Sequence, residues 1–181
     1  MGLAPKLALL CSMAIAIAIP SAFAGEAARK SVRSLLEIRQ EGVIVQKWET
    51  SCAAAALATV PTFSQNDPVS EKLVAQRMLH STDPIKVKVR GGFSLLDMKR
   101  FVETRGFKGT GFKGMTFEDL LQLQSPIVPI DAYGNPHFIV VRGLNESGAL
   151  NISDPAFGNR SMSVENFKSV WKDGIGFVVS R

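Results

Sequence analysis

Clusters of like charge are missing from this sequence. Its 21 lysines and arginines outnumber its 16 aspartates and glutamates, for a formal net charge of +5, but nowhere do five basic residues follow one another. We therefore expect the basic side chains to lie on a solvated surface, and we predict no nucleic-acid partner. The densest basic patch, residues 86–90, alternates with valine, which predicts the solvated face of a strand.

Internal repeats and low-complexity segments are missing too, and long hydrophobic runs are confined to the N-terminus. Lys6 supplies a positive start, residues 7–19 are apolar apart from one serine, and residues 22–24 form a small-x-small cleavage site. We expect residues 1–24 to be a secretory signal peptide and residues 25–181 to form one periplasmic or secreted domain. The apolar run is too short for a comfortable membrane span, so a membrane would be contacted only through this signal if it is not removed.

Cysteine is scarce as well, with two in the whole chain. Cys11 falls within the expected signal peptide, which leaves Cys52 as the one cysteine of the exported domain. An internal disulfide is thereby excluded, and so is a zinc site built on cysteines, because such a site needs several ligands. We expect no metal or other cofactor. A leftover thiol of this kind is either buried or reactive.

The segment around Cys52 predicts a thiol at the start of a helix. Thr50 or Ser51 can cap the helix, the residues that follow are small and favour a helix, and Pro61 is expected to end it after Val60. Unpaired backbone N–H groups and the positive end of the helix dipole stabilise a thiolate there, and the thiolate is the reactive form. The alternative is a buried cysteine that packs as a small apolar residue.

The remaining patterns predict helices first and strands afterwards, which is typical of an α+β fold. Helices are expected at residues 69–80, 94–105, 116–123 and 163–171, with a helix or extended lead-in over 26–39. Strands are expected at residues 42–45, 107–112, 127–130, 137–141, 150–154 and 176–180. His80, at the end of a predicted helix, is expected to be a capping surface residue.

Two polar residues of the strand region can join Cys52 at one end of the sheet. His137 begins a predicted strand after a turn, and Asp154 ends the next strand of the same hairpin, before Pro155. Together with Cys52 they would form a nucleophile, a general base and the carboxylate that orients the base. Gln46 would offer a side-chain N–H to a developing oxyanion, alongside the backbone N–H of Cys52. Taken singly, His137 has a structural alternative, and Asp154–Pro155 is a common turn.

Three motifs give the chain a family resemblance. They are Gln46-x5-Cys52 before an alanine-rich helix, His137-Phe-Ile-Val-Val-x-Gly143, and Asp154-Pro155-Ala156-x-Gly158. In this order they resemble family thirty-nine of the cysteine peptidases, the bacteriocin-processing double-glycine leader peptidases, over about residues 40–180. The resemblance implies a papain-like fold, with N-terminal helices packed on an antiparallel sheet. It also implies that Cys52 is the nucleophile, His137 the general base and acid, Asp154 the orienting carboxylate and Gln46 the oxyanion donor.

The sequence departs from that family in two respects. Ala53 stands where the family usually has glycine after the cysteine; alanine fits a helix start, so we expect activity to survive. Well-known members are fused to ATP-driven exporters, but this chain has no Gly-x4-Gly-Lys-Ser/Thr phosphate loop. ATP binding is therefore not carried over, and the chain is similar instead to free-standing exported members, some of which accompany the secretion of functional amyloid. Trp171, where the family commonly has an aromatic residue, is expected in the core.

The favoured hypothesis is an exported cysteine endopeptidase that cleaves a peptide or protein after a small-residue pair, double glycine by the resemblance. One alternative is a catalytically silent module that binds a leader peptide, although both Cys52 and His137, which such modules usually lose, are present. A second alternative is another thiol acyl transfer, of the transglutaminase or amidase type, on the same fold. The three residues alone do not separate this last reaction from proteolysis.

Overall fold

The computed structural model describes residue 2 and residues 32–181. The expected signal peptide, apart from Gly2, and the first part of the expected lead-in lie outside the described residues. Residues 33–181 form one compact unit. Its helices are α1 (Leu35–Gln40), α2 (Cys52–Ser64), α3 (Glu71–Ser81), α4 (Pro84–Arg90), α5 (Leu95–Thr104), α6 (Phe117–Leu121) and α7 (Val164–Val170). Its strands are β1 (Lys108–Phe112), β2 (Ile127–Ala132), β3 (Asn135–Leu144), β4 (Leu150–Asp154), β5 (Gly158–Met162) and β6 (Gly176–Ser180).

Helix α2 is the centre of the helical layer. Its first ten residues, 52–61, are all buried, as expected of a helix that is apolar on every side. The predicted start at Cys52 is confirmed, but the predicted end before Pro61 is wrong. The helix continues to Ser64, four residues past the predicted end, and the Pro61 carbonyl accepts hydrogen bonds from the N–H groups of Gln65 and Asp67 at 3.2 and 2.9 Å. Proline removes one backbone hydrogen bond from the helix but does not end it, and the two bonds to the Pro61 carbonyl close the last turn.

The six strands form one sheet in the order β1-β6-β2-β3-β4-β5, and all paired neighbours are antiparallel. Alternate residues of its strands belong to two hydrophobic clusters, one on each face of the sheet. Ile127 and Val140 pack with α2, α3 and α5, whereas Val128 and Ile139 pack with residues of α6 and α7. The predicted α+β class, with N-terminal helices packed on an antiparallel sheet, is confirmed.

Two predicted strands are wrong, and one strand was not predicted. Residues 86–90 lie in helix α4, because the Asp83 side chain caps its N-terminus, Pro84 occupies its first turn and Gly91 ends it in the left-handed conformation. Residues 42–45 are irregular, and the Ile44 N–H donates to the Thr59 hydroxyl at 3.0 Å instead of to a strand. The unpredicted strand is β5, which contains only one large apolar residue and so lacks the alternation of a half-buried strand.

Within the part of the chain that the structure describes, no helix has the length and apolar character needed to cross a membrane.

Candidate active site

A diagonal row of three polar side chains crosses one end of the sheet. The register of β3 and β4 pairs Val140 with Ser153, so His137 and Asp154 lie on the same face, one diagonal step apart. The register of β4 and β5 pairs Ile152 with Arg160, which places Arg160 one diagonal step beyond Asp154. The predicted meeting of His137 and Asp154 therefore follows directly from strand pairing.

The His137–Asp154 contact is a short hydrogen bond. His137 Nε2 lies 2.8 Å from Asp154 Oδ1. Burial favours the neutral ring and lowers the pKa of His137, but the hydrogen bond with Asp154, a smaller one with Cys52 and the charges of both groups outweigh it and raise the pKa to about 9. The ring of His137 is therefore an imidazolium at neutral pH. Since Asp154 occupies Nε2, the nitrogen left to face Cys52 is Nδ1.

Asp154 is fully buried and held by three groups. Besides His137, its carboxylate accepts hydrogen bonds from the Arg160 Nε and the Ala156 backbone N–H, each at 2.9 Å, and Arg160 Nη2 approaches to 2.8 Å. Burial alone would raise the pKa of Asp154, but the hydrogen bond and charge of His137, together with hydrogen bonds from the Ala156 backbone and the Arg160 side chain, hold it below its usual value. Asp154 is thus a fixed negative charge beside the imidazolium.

Cys52 opens helix α2, and the residue is buried, with 6% of its surface exposed. The helix packs against β3, which carries His137. Ser51 occupies the N-cap position, but its side chain does not cap the helix; the hydroxyl bonds instead to Glu71. Among the described residues, the backbone N–H of Cys52 has no hydrogen-bond acceptor. This N–H is a free donor next to the sulfur, as an oxyanion site requires.

Gln46 lies on the loop that leads into Cys52. Its backbone N–H donates to the Pro155 carbonyl at 2.7 Å, so the loop is tied to the turn directly after Asp154. Its side-chain Nε2 donates to the carbonyls of Trp48 at 3.0 Å and Glu49 at 3.4 Å. The role of Gln46 as oxyanion donor stays a prediction. It requires the longer bond, to the Glu49 carbonyl, to break so that one N–H of the amide can reach the oxyanion.

Glu71 is a buried carboxylate that contacts the same loop. No sequence pattern singles it out. It is 3% exposed, and its Oε1 accepts the backbone N–H of Lys47 at 2.9 Å and the hydroxyl of Ser51. These two residues directly follow Gln46 and precede Cys52, so one side chain fixes both ends of the loop. An acidic residue in the first turn of a helix is usually an exposed group favoured by the helix dipole, and the sequence therefore gave no signal of this role.

We expect Glu71→Ala to lower the free energy of unfolding by about 1–3 kcal/mol, because the N–H of Lys47 and the hydroxyl of Ser51 lose a buried acceptor. Urea denaturation measures the change. Glu103→Ala is the matched control: Glu103 is exposed and paired with Lys99 one helical turn away, so its loss should cost less than about 0.5 kcal/mol. Equal stability of the two variants would contradict the loop-fixing role.

Gly158 explains the spacing of the third sequence motif. Its φ is +80°, and a Cβ built there would come within 2.5 Å of the Arg39 carbonyl oxygen on α1. Only glycine combines that conformation with so close an approach. The turn from β4 to β5 can therefore pack beneath α1, and this turn sets Arg160 against Asp154.

The arrangement has the parts that thiol-based acyl transfer needs: a sulfur at a helix N-terminus, a charged imidazole, an orienting carboxylate and a free backbone N–H. The structure brings Cys52, His137 and Asp154 together, with Gln46 on the adjoining loop. Their catalytic roles stay predictions. Within the described part of the chain, no three histidine, cysteine or acidic side chains are grouped so as to hold a metal ion.

Relatives of known sequence share most of this chain. It is 35% identical over 171 residues to the probable functional amyloid protease FapD of Pseudomonas aeruginosa, an alignment that covers 94% of this chain and 74% of the relative. It is 36% identical over 151 residues to the protein of the same name from Pseudomonas fluorescens, covering 83% of this chain and 65% of the relative. The chain thus spans just under two thirds of the second relative.

Solved structures share the fold. One is the peptidase domain of Streptococcus ComA, a bi-functional ABC transporter involved in quorum sensing, with a TM-score of 0.62, 22% identity and coverage of 76% of this chain and 96% of that domain. Another is a double glycine motif protease from an AMS/PCAT transporter in complex with the leader peptide, with a TM-score of 0.61, 23% identity and coverage of 76% and 89%. At these identities the similarity concerns the fold, and it agrees with the predicted architecture.

The model of the peptidase C39 family matches residues 40–181, which include every motif residue discussed above. The chain therefore belongs to the peptidase C39 family and is a cysteine peptidase.

Proposed function

We propose that this chain is an exported endopeptidase that cleaves a secreted protein or its leader after a small-residue pair, with double glycine as the preferred site. The observation that carries the proposal is the position of His137, hydrogen-bonded to the buried Asp154 through Nε2 and facing Cys52 with its other nitrogen. This order matches the three roles of a thiol-dependent hydrolase: nucleophile, proton carrier and orienting carboxylate.

In the proposed mechanism, the thiol proton resides on His137, and the Cys52 sulfur attacks the carbonyl carbon that precedes the scissile bond. The oxyanion that forms accepts hydrogen bonds from the backbone N–H of Cys52 and, in this proposal, from a side-chain N–H of Gln46. His137 then gives its proton to the leaving amine, and a thioester remains on the sulfur. A water molecule, losing a proton to His137, hydrolyses the thioester and regenerates the thiol.

The substrate class is proposed from the relatives. Two of them are named as probable functional amyloid proteases, and a structural neighbour is named as a double glycine motif protease bound to a leader peptide. A component of an amyloid-secretion system with a small-residue cleavage site fits both descriptions. Cleavage after a pair without side chains also suits a nucleophile that is almost fully buried.

The decisive experiment is product analysis by mass spectrometry on matched peptides that differ only at the cleavage pair: Gly-Gly, Gly-Ala and Val-Val. We expect two fragments whose masses sum to that of the peptide plus one water, formed fastest with Gly-Gly and not with Val-Val. Transfer of the acyl fragment to an added amine, with no hydrolysed fragment, would instead identify an acyl transferase. Tight binding of the intact Gly-Gly peptide without cleavage would identify a leader-binding module. Either result would overturn the proposal.

Export is part of the proposal because residues 1–24 have the composition of a secretory signal. We expect the chain recovered from the periplasmic or extracellular fraction to begin at Gly25, as intact-mass measurement would reveal. Replacement of Ala22 and Ala24 by arginine should leave the longer chain in the membrane fraction. A chain that retains residues 1–24 in the cytoplasmic fraction would contradict export without affecting the peptidase assay.

A further inference from the structure

A cleft of about 1120 Å³ opens beside His137. His137 and Asp154 form part of its wall, while Cys52 is not among its lining residues. The rest of the wall comes from Arg39 on α1, the end of β2 and the β2–β3 turn, the β4–β5 turn, β5, and α7 with its N-cap Ser163. Nothing in the mechanism above uses this space.

The chemistry of the reaction indicates which part of the substrate the cleft receives. After attack, the acyl part of the substrate stays bonded to the Cys52 sulfur, while the leaving amine must receive its proton from the His137 ring. The segment that follows the scissile bond therefore departs past His137. A cleft whose wall contains the imidazole but not the sulfur is therefore placed to receive that segment.

The lining of the cleft combines polar side chains with a group of apolar and aromatic ones. Ile130, Met162 and Val170 line it, together with two exposed aromatic side chains: Tyr133 is fully exposed, and Phe157, whose ring lies under the Arg160 guanidinium, is 67% exposed. Exposed aromatic side chains beside a cleft are typical of binding surfaces.

The acidic groups of the cleft are already neutralised. Asp131 pairs with Lys172 at 2.7 Å, and Asp154 is held by His137 and Arg160. A cationic occupant would find no free carboxylate among these groups. The lining thus favours an apolar or aromatic side chain over a basic one.

We propose that this cleft binds the segment released by cleavage and selects an aromatic or large apolar side chain within its first few residues. The inference rests on the proposed endopeptidase function and adds to it a preference on the leaving-group side of the scissile bond. Tyr133 and Phe157 are the residues that set this preference.

The test uses peptides that are identical through the Gly-Gly pair and carry either phenylalanine or alanine at one of the three following positions. We expect the phenylalanine peptide to be cleaved with a kcat/KM at least about 10-fold higher at one of those positions, as expected for a filled apolar pocket. In Phe157→Ser and Tyr133→Ser this ratio should approach one. A ratio is the appropriate readout because the Arg160 guanidinium, which pairs with Asp154, lies 5.6 Å from the centroid of the Phe157 ring. If loss of the ring disturbs Asp154 through Arg160, cleavage of both peptides slows equally and the ratio is unchanged.

Phe112→Ser is the matched control, since Phe112 is a partly exposed phenylalanine on β1, at the opposite edge of the sheet; it should keep the wild-type ratio. A wild-type ratio near one, or a ratio unchanged in both cleft variants, would overturn this inference while leaving the endopeptidase intact. If no Gly-Gly peptide is cleaved at all, the proposed function fails instead. In that event, fluorescence anisotropy of the released phenylalanine fragment with wild type and with Phe157→Ser still decides whether the cleft binds it.

Discussion

Replacing Cys52 by alanine is expected to lower kcat/KM for a Gly-Gly peptide by about 10⁴-fold or more, because the thioester intermediate no longer forms. Cys52→Ser should lose nearly as much, since a hydroxyl gives up its proton to His137 far less readily than a thiol does. The assay separates and quantifies the two peptide fragments. Enzyme is used in excess over peptide, so that slow residual cleavage is measurable.

The alanine variant is a clean test because the site should survive the change. Cys52 begins a helix whose next four residues are alanines, all buried. Removing one sulfur should therefore cost about 1 kcal/mol of stability and leave the unfolding transition cooperative. Wild-type cleavage by Cys52→Ala would exclude Cys52 as the nucleophile. Wild-type labelling by iodoacetamide no faster than that of free cysteine would favour the leader-binding alternative.

The part of the site that sequence could predict depends on strong local signals. A cysteine after residues of a type that often caps helices and before four alanines marks a helix start, and His137 and Asp154 lie near the start and at the end of a hairpin with clear turn residues. Antiparallel pairing then brings the two side chains onto one face. The helices expected from residues 94 and 116 also form, and each begins with a capping box, at Ser94 and at Thr116, whose partners are close in sequence.

What sequence could not predict depends on contacts between distant segments. Arg160 was missed because β5 has too few apolar residues to be identified as a strand, yet its pairing with β4 places the guanidinium on Asp154. Glu71 was missed because its partners lie 24 and 20 positions earlier in the chain. Helix α4 was mistaken for a strand because valine alternates with lysine, while its caps at Asp83 and Gly91 decided the outcome. For Arg160 and Glu71, tertiary position outweighed the local pattern; for α4, one local signal outweighed another.

The second large effect is expected from Asp154→Asn. The carboxylate that raises the pKa of His137 is lost, burial continues to lower that pKa, and the charge of Arg160 is left unpaired beside the ring. We expect kcat/KM at neutral pH to fall by about 10²–10⁴-fold, through loss of the imidazolium and of ring orientation.

The pH profile separates this role from simple structural damage. In wild type, kcat/KM should decline as the pH rises through about 9, where His137 loses its proton. In Asp154→Asn that decline should begin about two pH units or more lower, because the imidazolium is no longer stabilised. Asp131→Asn is the charge-matched control: Asp131 belongs to the same end of the sheet but pairs with Lys172, so its profile should keep the wild-type alkaline decline. An unshifted decline in Asp154→Asn would show that the carboxylate does not hold the proton on His137. An equal shift in both variants would attribute the effect to overall charge, and only a shift confined to Asp154→Asn assigns it to the hydrogen bond that the two strands create.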